Sequence, residues 1–250
     1  MRRFTLILSP WLLIIAIWYA VAYSGLINPA LVPTPHAVAV QFWHQLTEAR
    51  LPRDILMSTQ RVLIGVICGI TLAVPVGFML GWYPRVRMFI DPLINFFRAL
   101  PPIALIPLVI VYFGIGEVAK IVILFYASFF AGVIVMYEGI AQISPIYVRV
   151  ARTLGATDAE LFRRVIIPLA VPHILTALRV ALGVAWATLV ASELIAAQQG
   201  LGALIQNASS FFQLDIIYVG IICIGLIALM MDLLLRAIGD RLVSWQERIA

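Results

Sequence analysis

The stretch from Val62 to Tyr83, VLIGVICGITLAVPVGFMLGWY, contains no charged residue. With a rise of about 1.5 Å per residue, a helix of this length crosses the roughly 30 Å hydrocarbon core of a bilayer. The stretch therefore predicts a membrane-spanning helix. A small residue at every fourth position gives the helix a face that another helix can approach closely, and we expect that partner in the same subunit. The small residues are Gly65, Gly69, Ala73, Gly77 and Gly81.

The composition of the whole chain indicates lipid as its main solvent. The 250 residues are 63% hydrophobic and 12% charged, whereas a soluble domain is about 45–50% apolar and about 25% charged. These values exclude an ordinary soluble enzyme and a disordered chain. The net charge of +5 comes without a basic tail or a patch of basic and aromatic residues, so we expect no nucleic acid partner.

The sequence lacks the usual signals of catalytic and metal sites. A phosphate-binding loop needs Gly-Lys followed by Ser or Thr, whereas Lys120, the single lysine, is followed by Ile121. We therefore do not expect this chain to hydrolyse ATP. Cys68 and Cys223 lie inside apolar runs and indicate neither a disulfide nor a metal site. No catalytic residue, metal or cofactor is expected on the chain.

Five further apolar runs resemble the first in length, and the chain is predicted to be an all-α membrane protein with six transmembrane helices. The third run in chain order contains Arg98 and the pair Pro101-Pro102. The five runs are Phe4–Ile27, Ile90–Phe113, Val118–Ile140, Ile174–Ala197 and Ile216–Ile238.

The distribution of arginine sets the orientation, because cytoplasmic loops collect basic residues. With six spans and both termini in the cytoplasm, only Arg50, Arg53, Arg61 and Lys120 fall outside. The arginines on the cytoplasmic side are Arg2, Arg3, Arg85, Arg87, Arg149, Arg152, Arg163, Arg164, Arg236, Arg241 and Arg248.

The segment between the first two spans predicts a helix on the outer surface. Thr34-Pro35 has the residue types of a helix N-cap and first helical position. Ala37 to Leu46 has the pattern of an amphipathic helix, and Leu51 to Met57 is a candidate extension of it. We accordingly divide the chain into residues 1–57, which hold the first span and this external segment, and a transmembrane core at 58–250.

The longest polar stretch contains the segment RVARTLGATDAELFRRVIIP, Arg149 to Pro168. A short helix to Leu154 is predicted, with Gly155 as its breaker. Thr157 followed by Glu160 has the spacing of a capping box, so a second helix should begin there. We expect Pro168 and Pro172 to end that helix and to lead the chain back into the membrane.

Leu161 and Phe162 are expected on an exposed apolar face of this second helix. Two interpretations remain open from the residues alone. The helix pair rests on lipid headgroups with its arginines near phosphates, or it docks into the groove of a partner protein.

The segment resembles the EAA loop of binding-protein-dependent ABC importer permeases. Aligned on Gly155, it matches that motif at Ala151, Val165 and Pro168, with Ile167 in place of Leu. It departs from the motif at its start, where Arg149 and Val150 stand instead of Glu and Ala. Three other stretches resemble the nitrate, sulfonate and bicarbonate branch, and within it the taurine type: Arg98-Ala-Leu-Pro-Pro, Ala191-Ser-Glu-Leu-Ile-Ala-Ala and Gly200-Leu-Gly.

This resemblance implies a type I ABC importer permease fold with a cytoplasmic EAA coupling loop at 149–168, in the inner membrane of a bacterium. It implies a second permease copy, most simply as a homodimer, two cytoplasmic ATPase subunits that hold ATP and Mg, and a periplasmic or lipid-anchored binding protein. The coupling residues implied by the motif are Ala151, Gly155, Ala156, Thr157, Asp158, Leu161 and Phe162.

The resemblance further implies import of taurine or another alkanesulfonate. Nitrate, bicarbonate and an aromatic anion remain alternatives within the same class of importer. A secondary transporter that acts alone is a further alternative, although no clear internal repeat of the kind common in such transporters is present.

Arg98 and Glu193 are the two charges that we place within spans. One interpretation makes Arg98 part of a basic route for an anion, because a guanidinium suits an oxyanion. The other pairs Arg98 with Glu193, or lets Arg98 reach the inner surface. Trp186, Thr188 and Ser192 are candidates to line the same route, with packing as the alternative role.

Overall fold

The structure is a computed structural model that describes residues 2–24, 31–48 and 50–243, with side chains from Ser9 onward except that of Ala196. These residues form helices joined by short connections, and no strand occurs among them. The helices are α1 (Arg2–Tyr23), α2 (Pro35–Thr47), α3 (Arg50–Trp82), α4 (Pro84–Ala99), α5 (Pro102–Phe113), α6 (Glu117–Ala141), α7 (Pro145–Thr153), α8 (Asp158–Leu161), α9 (Ile167–Ala196), α10 (Leu201–Ser210) and α11 (Leu214–Leu242), with a π-helical turn at Phe162–Ile166.

Four helical segments are long and apolar enough to cross a membrane: α3, α6, α11, and α9 together with the turns that precede it. The bent pair of α4 and α5 passes the same length and hydropathy test only when the two helices are taken together, as a broken span or a re-entrant loop. In α1, the described side chains from Ser9 to Tyr23 form a shorter apolar helix, and the end of the predicted span at residues 25–27 lies outside the described residues. The prediction of an all-α membrane protein is confirmed. We call the end of the bundle with most of the arginines the inner end and the opposite end the outer end, in accordance with the orientation predicted above.

The third predicted span, Ile90–Phe113, is wrong as a continuous helix, because the chain bends by 90° between α4 and α5. Leu100 and Pro101 each precede a proline and both adopt extended backbone angles, as prolines impose on the residue before them. The Tyr126 hydroxyl of α6 donates a hydrogen bond to the Phe97 carbonyl near this break. The twelve residues of α5 are too few to cross a bilayer core alone.

The small residues of α3 pack against α6, as the sequence predicted for a partner in the same subunit. A Cβ atom added to Gly69 would lie 2.7 Å from the Cβ of Ser128, and one added to Gly77 would lie 2.5 Å from the Cβ of Met136. The contacts advance by four residues on both helices in the same direction, so α3 and α6 run parallel. The contacting pairs are Gly65 with Leu124, Gly69 with Ser128, Ala73 with Gly132, Gly77 with Met136 and Gly81 with Ile140.

The external segment begins as predicted and ends differently. The Thr34 side chain accepts a hydrogen bond from the Ala37 amide, and Pro35 is the first residue of α2. Leu51–Met57 does not extend α2, because α3 already begins at Arg50 and carries these residues into the bundle. The division between residues 57 and 58 therefore falls within a helix.

The inner halves of α9 and α11 are joined by a charged contact. Arg179 Nε lies 2.7 Å from Asp232 Oδ1, and Arg236 Nε lies 2.7 Å from Asp232 Oδ2. The core lies between α3, α6 and α9, where Leu124 and Leu189 are fully buried. A rigid central bundle thus carries the inner loop at one end and α10 at the other.

Candidate functional site

The segment between α6 and α9 folds into the bent pair of helices that its sequence predicts. The Ser144 side chain accepts a hydrogen bond from the Ile146 amide and caps α7. Gly155 has a φ of +81°, a conformation that favours glycine because L side chains rarely adopt it. The Ala156 amide donates to the Ala151 carbonyl over 3.0 Å and closes the turn. The bend between α7 and α8 therefore depends on Gly155.

The start of α8 carries the capping box that the sequence predicted. The Glu160 amide donates to Thr157 Oγ1 over 3.3 Å, and the Thr157 amide donates to Glu160 Oε2 over 3.1 Å. Arg152 of α7 lies 3.3 Å from Asp158 Oδ1 and joins the two helices across the bend. These contacts are exposed, so they set the local angle of the loop more than they add to global stability.

The expectation that Pro168 and Pro172 end the second helix is wrong. The helix continues from α8 through the π-helical turn Phe162–Ile166 into α9, and all the joining residues have helical backbone angles. Pro168 lies in the first turn of α9, where the regular α-helical hydrogen bonds begin again after the π-helical turn. The missing N–H of a proline costs least in the first turn of a helix. The loop is therefore joined to the α9 span by a continuous helix.

The prediction that Leu161 is exposed is also wrong, since it is only 3% exposed. Phe162 is 44% exposed, and its ring packs edge-on against Phe78 of α3 with 5.0 Å between the ring centroids. Both side chains turn toward the bundle because the helix continues into α9 and directs this face inward. They anchor the loop to the spans.

The exposed apolar face of the loop lies on α7 instead. None of the α7 residues is buried, and Leu154 just beyond its end is 81% exposed. Residues 146, 150 and 154 recur at every fourth position, so they share one side of the helix. This spacing is visible in the sequence and is the signal that predicts such a face. The apolar residues of this face, which we call the α7 face, are Ile146, Tyr147, Val150 and Leu154.

At the outer end, the N-terminal part of α3, the first turn of α6 and the last turn of α9 bring together a set of charged residues, most of which are buried. Arg61 Nη1 lies 2.5 Å from Glu193 Oε1, and these side chains are 3% and 0% exposed. Arg61 Nε also lies 2.6 Å from Glu117 Oε2. Lys120 Nζ lies 3.0 Å from Glu117 Oε1. We call Arg61, Glu117, Lys120 and Glu193, together with Asp54 and Ser58, the outer polar cluster.

The outer polar cluster holds the start of α10 through its backbone amides. The Gly200 amide donates to Asp54 Oδ1, the Leu201 amide to Ser58 Oγ and the Gly202 amide to Glu193 Oε2, over 2.8–2.9 Å. Carboxylates are favourable here because the N-terminus of a helix carries positive partial charge. Gly200 has a φ of +125°, and a Cβ on it would collide with the Glu193 carboxylate. The Gly-Leu-Gly motif is therefore required by this close approach.

Two assignments made from the sequence change at this end. Arg61 and Lys120 were expected on the outer side, beyond the spans, but both are buried within α3 and α6 at the outer end of the bundle. Glu193 was offered as a partner of Arg98, but it pairs with Arg61, whereas Arg98 is exposed and donates to Asn95 Oδ1. The bend at Pro101 separates Arg98 from the outer end. No signal within a single helix could have selected Arg61, which lies 132 positions from its partner.

The other candidate route residues are buried within the single chain. The Thr188 hydroxyl donates to the Val184 carbonyl, and the Ser192 hydroxyl donates to the Leu189 carbonyl. Both hydroxyls are thus satisfied by their own helix. The indole N–H of the buried Trp186 has no partner among the described residues. In one copy of the chain these side chains serve packing. No group of three His, Cys, Asp or Glu side chains within the described ranges is placed to hold a metal ion.

A family model described as binding-protein-dependent transport system inner membrane component matches residues 62–244. The taurine transport system permease protein TauC of Escherichia coli is 36% identical over 253 residues, which cover 99% of this chain and 92% of that protein. A probable ABC transporter permease protein of Brucella abortus is 45% identical, over 92% of this chain and 91% of that protein. The nitrate import permease protein NrtB of Synechococcus elongatus is 30% identical, over 94% and 85%.

A solved structure of the MetNI methionine ABC transporter in an inward-facing conformation has the same fold. Its matching chain superimposes with a TM-score of 0.65 at 20% sequence identity, covering 82% of this chain and 99% of that chain. At that identity the likeness concerns the fold alone. The prediction of a type I ABC importer permease fold is confirmed.

Proposed function

Because the chain belongs to the family of binding-protein-dependent transport system inner membrane components, we propose that it forms the membrane pathway through which an importer moves taurine or another alkanesulfonate. It is a multi-pass inner membrane protein, and we infer that both termini lie in the cytoplasm from the positions of its arginines. The names of the relatives support the substrate class, since they include permeases for taurine, aliphatic sulfonates and nitrate.

The single structural observation that supports this function best is the α7 face. Four apolar side chains lie exposed on α7 and at its C-terminal end, outside the spans and at the inner end of the bundle. An apolar stripe of this kind fits the groove of a partner protein. In our proposal the partner is a cytoplasmic ATPase subunit, because the chain itself lacks a phosphate-binding loop.

The seven residues that the motif implied for coupling take different roles in this proposal. Ala151 lies on the docking helix, Gly155 and Ala156 form the bend, and Thr157 and Asp158 fix its angle. Leu161 and Phe162 pass the motion on, because they join the loop to α3 and α9 rather than to the ATPase. A displacement of α7 would thus move the spans through a continuous helix.

A second copy of this chain, two ATPase subunits and a periplasmic or lipid-anchored binding protein complete the proposed assembly. The bent arm of α4 and α5 supports a second copy, since within each of these two helices a single residue is buried, Ile94 and Ile106 respectively. If the substrate passes between two such arms, Arg98, which is exposed on α4, would lie beside its route. Trp186, Thr188, Ser192 and Glu193 would then lie behind the route and not on its wall.

Co-expression with candidate ATPase and binding-protein genes tests the proposal. The complex is purified by a tag on this chain, placed in nanodiscs and assayed for ATPase activity with and without taurine-loaded binding protein. We expect the ATPase to co-purify and its activity to rise with taurine. Stimulation by nitrate instead would change the substrate and leave the importer in place, whereas a chain that purifies without any ATPase would favour a transporter that acts alone.

A further inference from the structure

An outward-facing cavity of about 440 Å³ lies beside α10, apart from the outer polar cluster. Its walls come from the end of α2, the start of α3, α10 with the connection that follows it, and the start of α11. The volume falls within the range of about 300–1,000 Å³ that is usual for small-molecule sites. The side chains that carry the following argument are Gln45, Arg50, Asn207, Phe211 and Gln213.

The cavity contains a group that favours an anion. Arg50 lines it and is exposed, and no carboxylate lies within salt-bridge distance of its guanidinium among the residues that the structure describes. Arg50 is also the first residue of α3, where the helix dipole adds positive potential. The nearby Asp54 is already engaged, because it accepts the amide of Gly200.

Other parts of the cavity lining favour a cation that can donate hydrogen bonds. The α10 helix ends at Ser210, so the negative end of its dipole faces this region. Phe211 is 76% exposed beside it and offers the face of an aromatic ring, which attracts cations.

Gln45 provides an acceptor for such a cation. It is 7% exposed and lines the cavity, yet its Oε1 has no hydrogen-bond partner among the described residues. A buried acceptor without a partner is unfavourable, and the terminal torsion of glutamine turns easily. An ammonium group in the cavity would therefore gain this oxygen as a partner and relieve its desolvation.

We propose that this cavity binds a small zwitterion with its sulfonate or carboxylate on Arg50 and its ammonium near Gln45 and Phe211, as an arrival site on the outer face. The side-chain amides of Asn207 and Gln213 also line the cavity and can donate to the anionic oxygens. The inference rests on the proposed function for the choice of sulfonate. It narrows the substrate class from an anion to a molecule that carries both charges.

The test measures binding of radiolabelled taurine to the full-length permease in nanodiscs, with ethanesulfonate and ethylammonium as competitors. Each competitor keeps one of the two charged groups. We expect saturable taurine binding and at least about tenfold weaker competition by either single-charge compound, because each loses one charge-assisted contact. Equal competition by ethanesulfonate would overturn the role of Gln45 and Phe211, and absence of saturable binding would overturn the site.

Variants then locate the binding to the cavity. Arg50→Gln and Gln45→Leu should each weaken taurine binding about tenfold. Arg53→Gln is the matched control, since Arg53 is an exposed arginine of the same helix that does not line the cavity. A similar loss in Arg50→Gln and Arg53→Gln would indicate a general effect of positive charge and would overturn the proposal.

A last comparison separates this inference from the proposed function. Taurine binding that depends on Arg50 in a permease that recruits no ATPase would support the cavity and overturn the importer. Taurine uptake and binding that are both unchanged in Arg50→Gln would overturn the cavity alone. If Arg50→Gln weakens the affinity for the binding protein but leaves taurine binding intact, the cavity is a protein contact and not a small-molecule site.

Discussion

Arg61 and Glu193 form an ion pair that is almost fully shielded from solvent, which is tolerated only when both charges keep their hydrogen bonds. Glu193 accepts from Arg61, Ser58 and the Gly202 amide. One carboxylate therefore joins α9, α3 and the start of α10. This arrangement makes Glu193 a structural residue of the outer end and explains why a charge lies within a span.

We expect Glu193→Gln to lower the free energy of unfolding by about 3 kcal/mol, because removing one partner leaves the other charge buried. Glu117 still pairs with Arg61, which holds the loss at the lower end of the usual range. Equilibrium unfolding in mixed detergent micelles measures the change.

Ser192→Ala is the control for this variant. Ser192 is a buried neighbour whose hydroxyl bonds only within its own helix, and the expected loss is about 1 kcal/mol or less. Equal losses in the two variants would contradict a special role for the ion pair.

At the scale of elements, α3 and α6 depend on backbone approach over several turns. Gly77→Ala would place a Cβ 2.5 Å from the Met136 Cβ and 2.8 Å from the Val133 carbonyl oxygen. A backbone atom cannot move aside as the end of a side chain can, so we expect Gly77→Ala to lower the free energy of unfolding by about 1–3 kcal/mol. A Cβ added to Gly183 in α9 would meet no neighbouring atom within 4 Å. Gly183→Ala should therefore leave the free energy of unfolding unchanged or raise it slightly. A loss of stability confined to Gly183→Ala would contradict this account.

The α7 face yields a second prediction for an element. Val150→Asp places a charge in the centre of the apolar stripe, so we expect the ATPase to be lost on purification while the permease still inserts and stays folded. Gln142→Glu adds the same charge at the exposed inner end of α6 and should leave the ATPase bound. Full ATPase recovery with Val150→Asp would contradict docking on this face.

Leu161→Asp is expected to behave differently from Val150→Asp. Leu161 is buried against the bundle, so a carboxylate there should destabilise the loop itself. Limited proteolysis between α7 and α9 distinguishes the two results: Leu161→Asp should be cut faster than the unaltered chain, whereas Val150→Asp should be cut at the same rate. Equal cleavage of both variants would contradict the anchoring role.

What the sequence could predict follows from how far apart the interacting residues are. The capping box of Thr157 and Glu160 is local, and the small residues of α3 are periodic, so both were found. The pairing of Arg61 with Glu193 and the burial of Leu161 depend on how distant helices assemble, so both were missed. The bend before α5 is predictable only in part. Pro101-Pro102 marks an interruption of the helix, but the angle of 90° depends on how the two helices pack.

At the scale of the whole molecule, one copy of the chain leaves a large apolar surface on the arm formed by α4 and α5. Val111 is 80% exposed at the outer half of that arm. Lipid could cover such a surface, but an importer that moves a charged molecule needs a route shielded from lipid. A second arm facing the first would provide that shield and would place Arg98 of both copies at its inner end.

We therefore expect Val111→Cys, in a Cys68→Ser background, to form a disulfide between two copies under mild oxidation in membranes. Cys223 is buried and can stay in place. Leu12→Cys on α1 is the control, since Leu12 is also an exposed apolar residue of a membrane helix. Non-reducing gel electrophoresis measures the fraction of dimer. Dimer formation by Leu12→Cys and not by Val111→Cys would move the interface between copies to α1 and leave the α4 and α5 arm to lipid, and the route for the charged substrate would then have to run through the interior of a single copy.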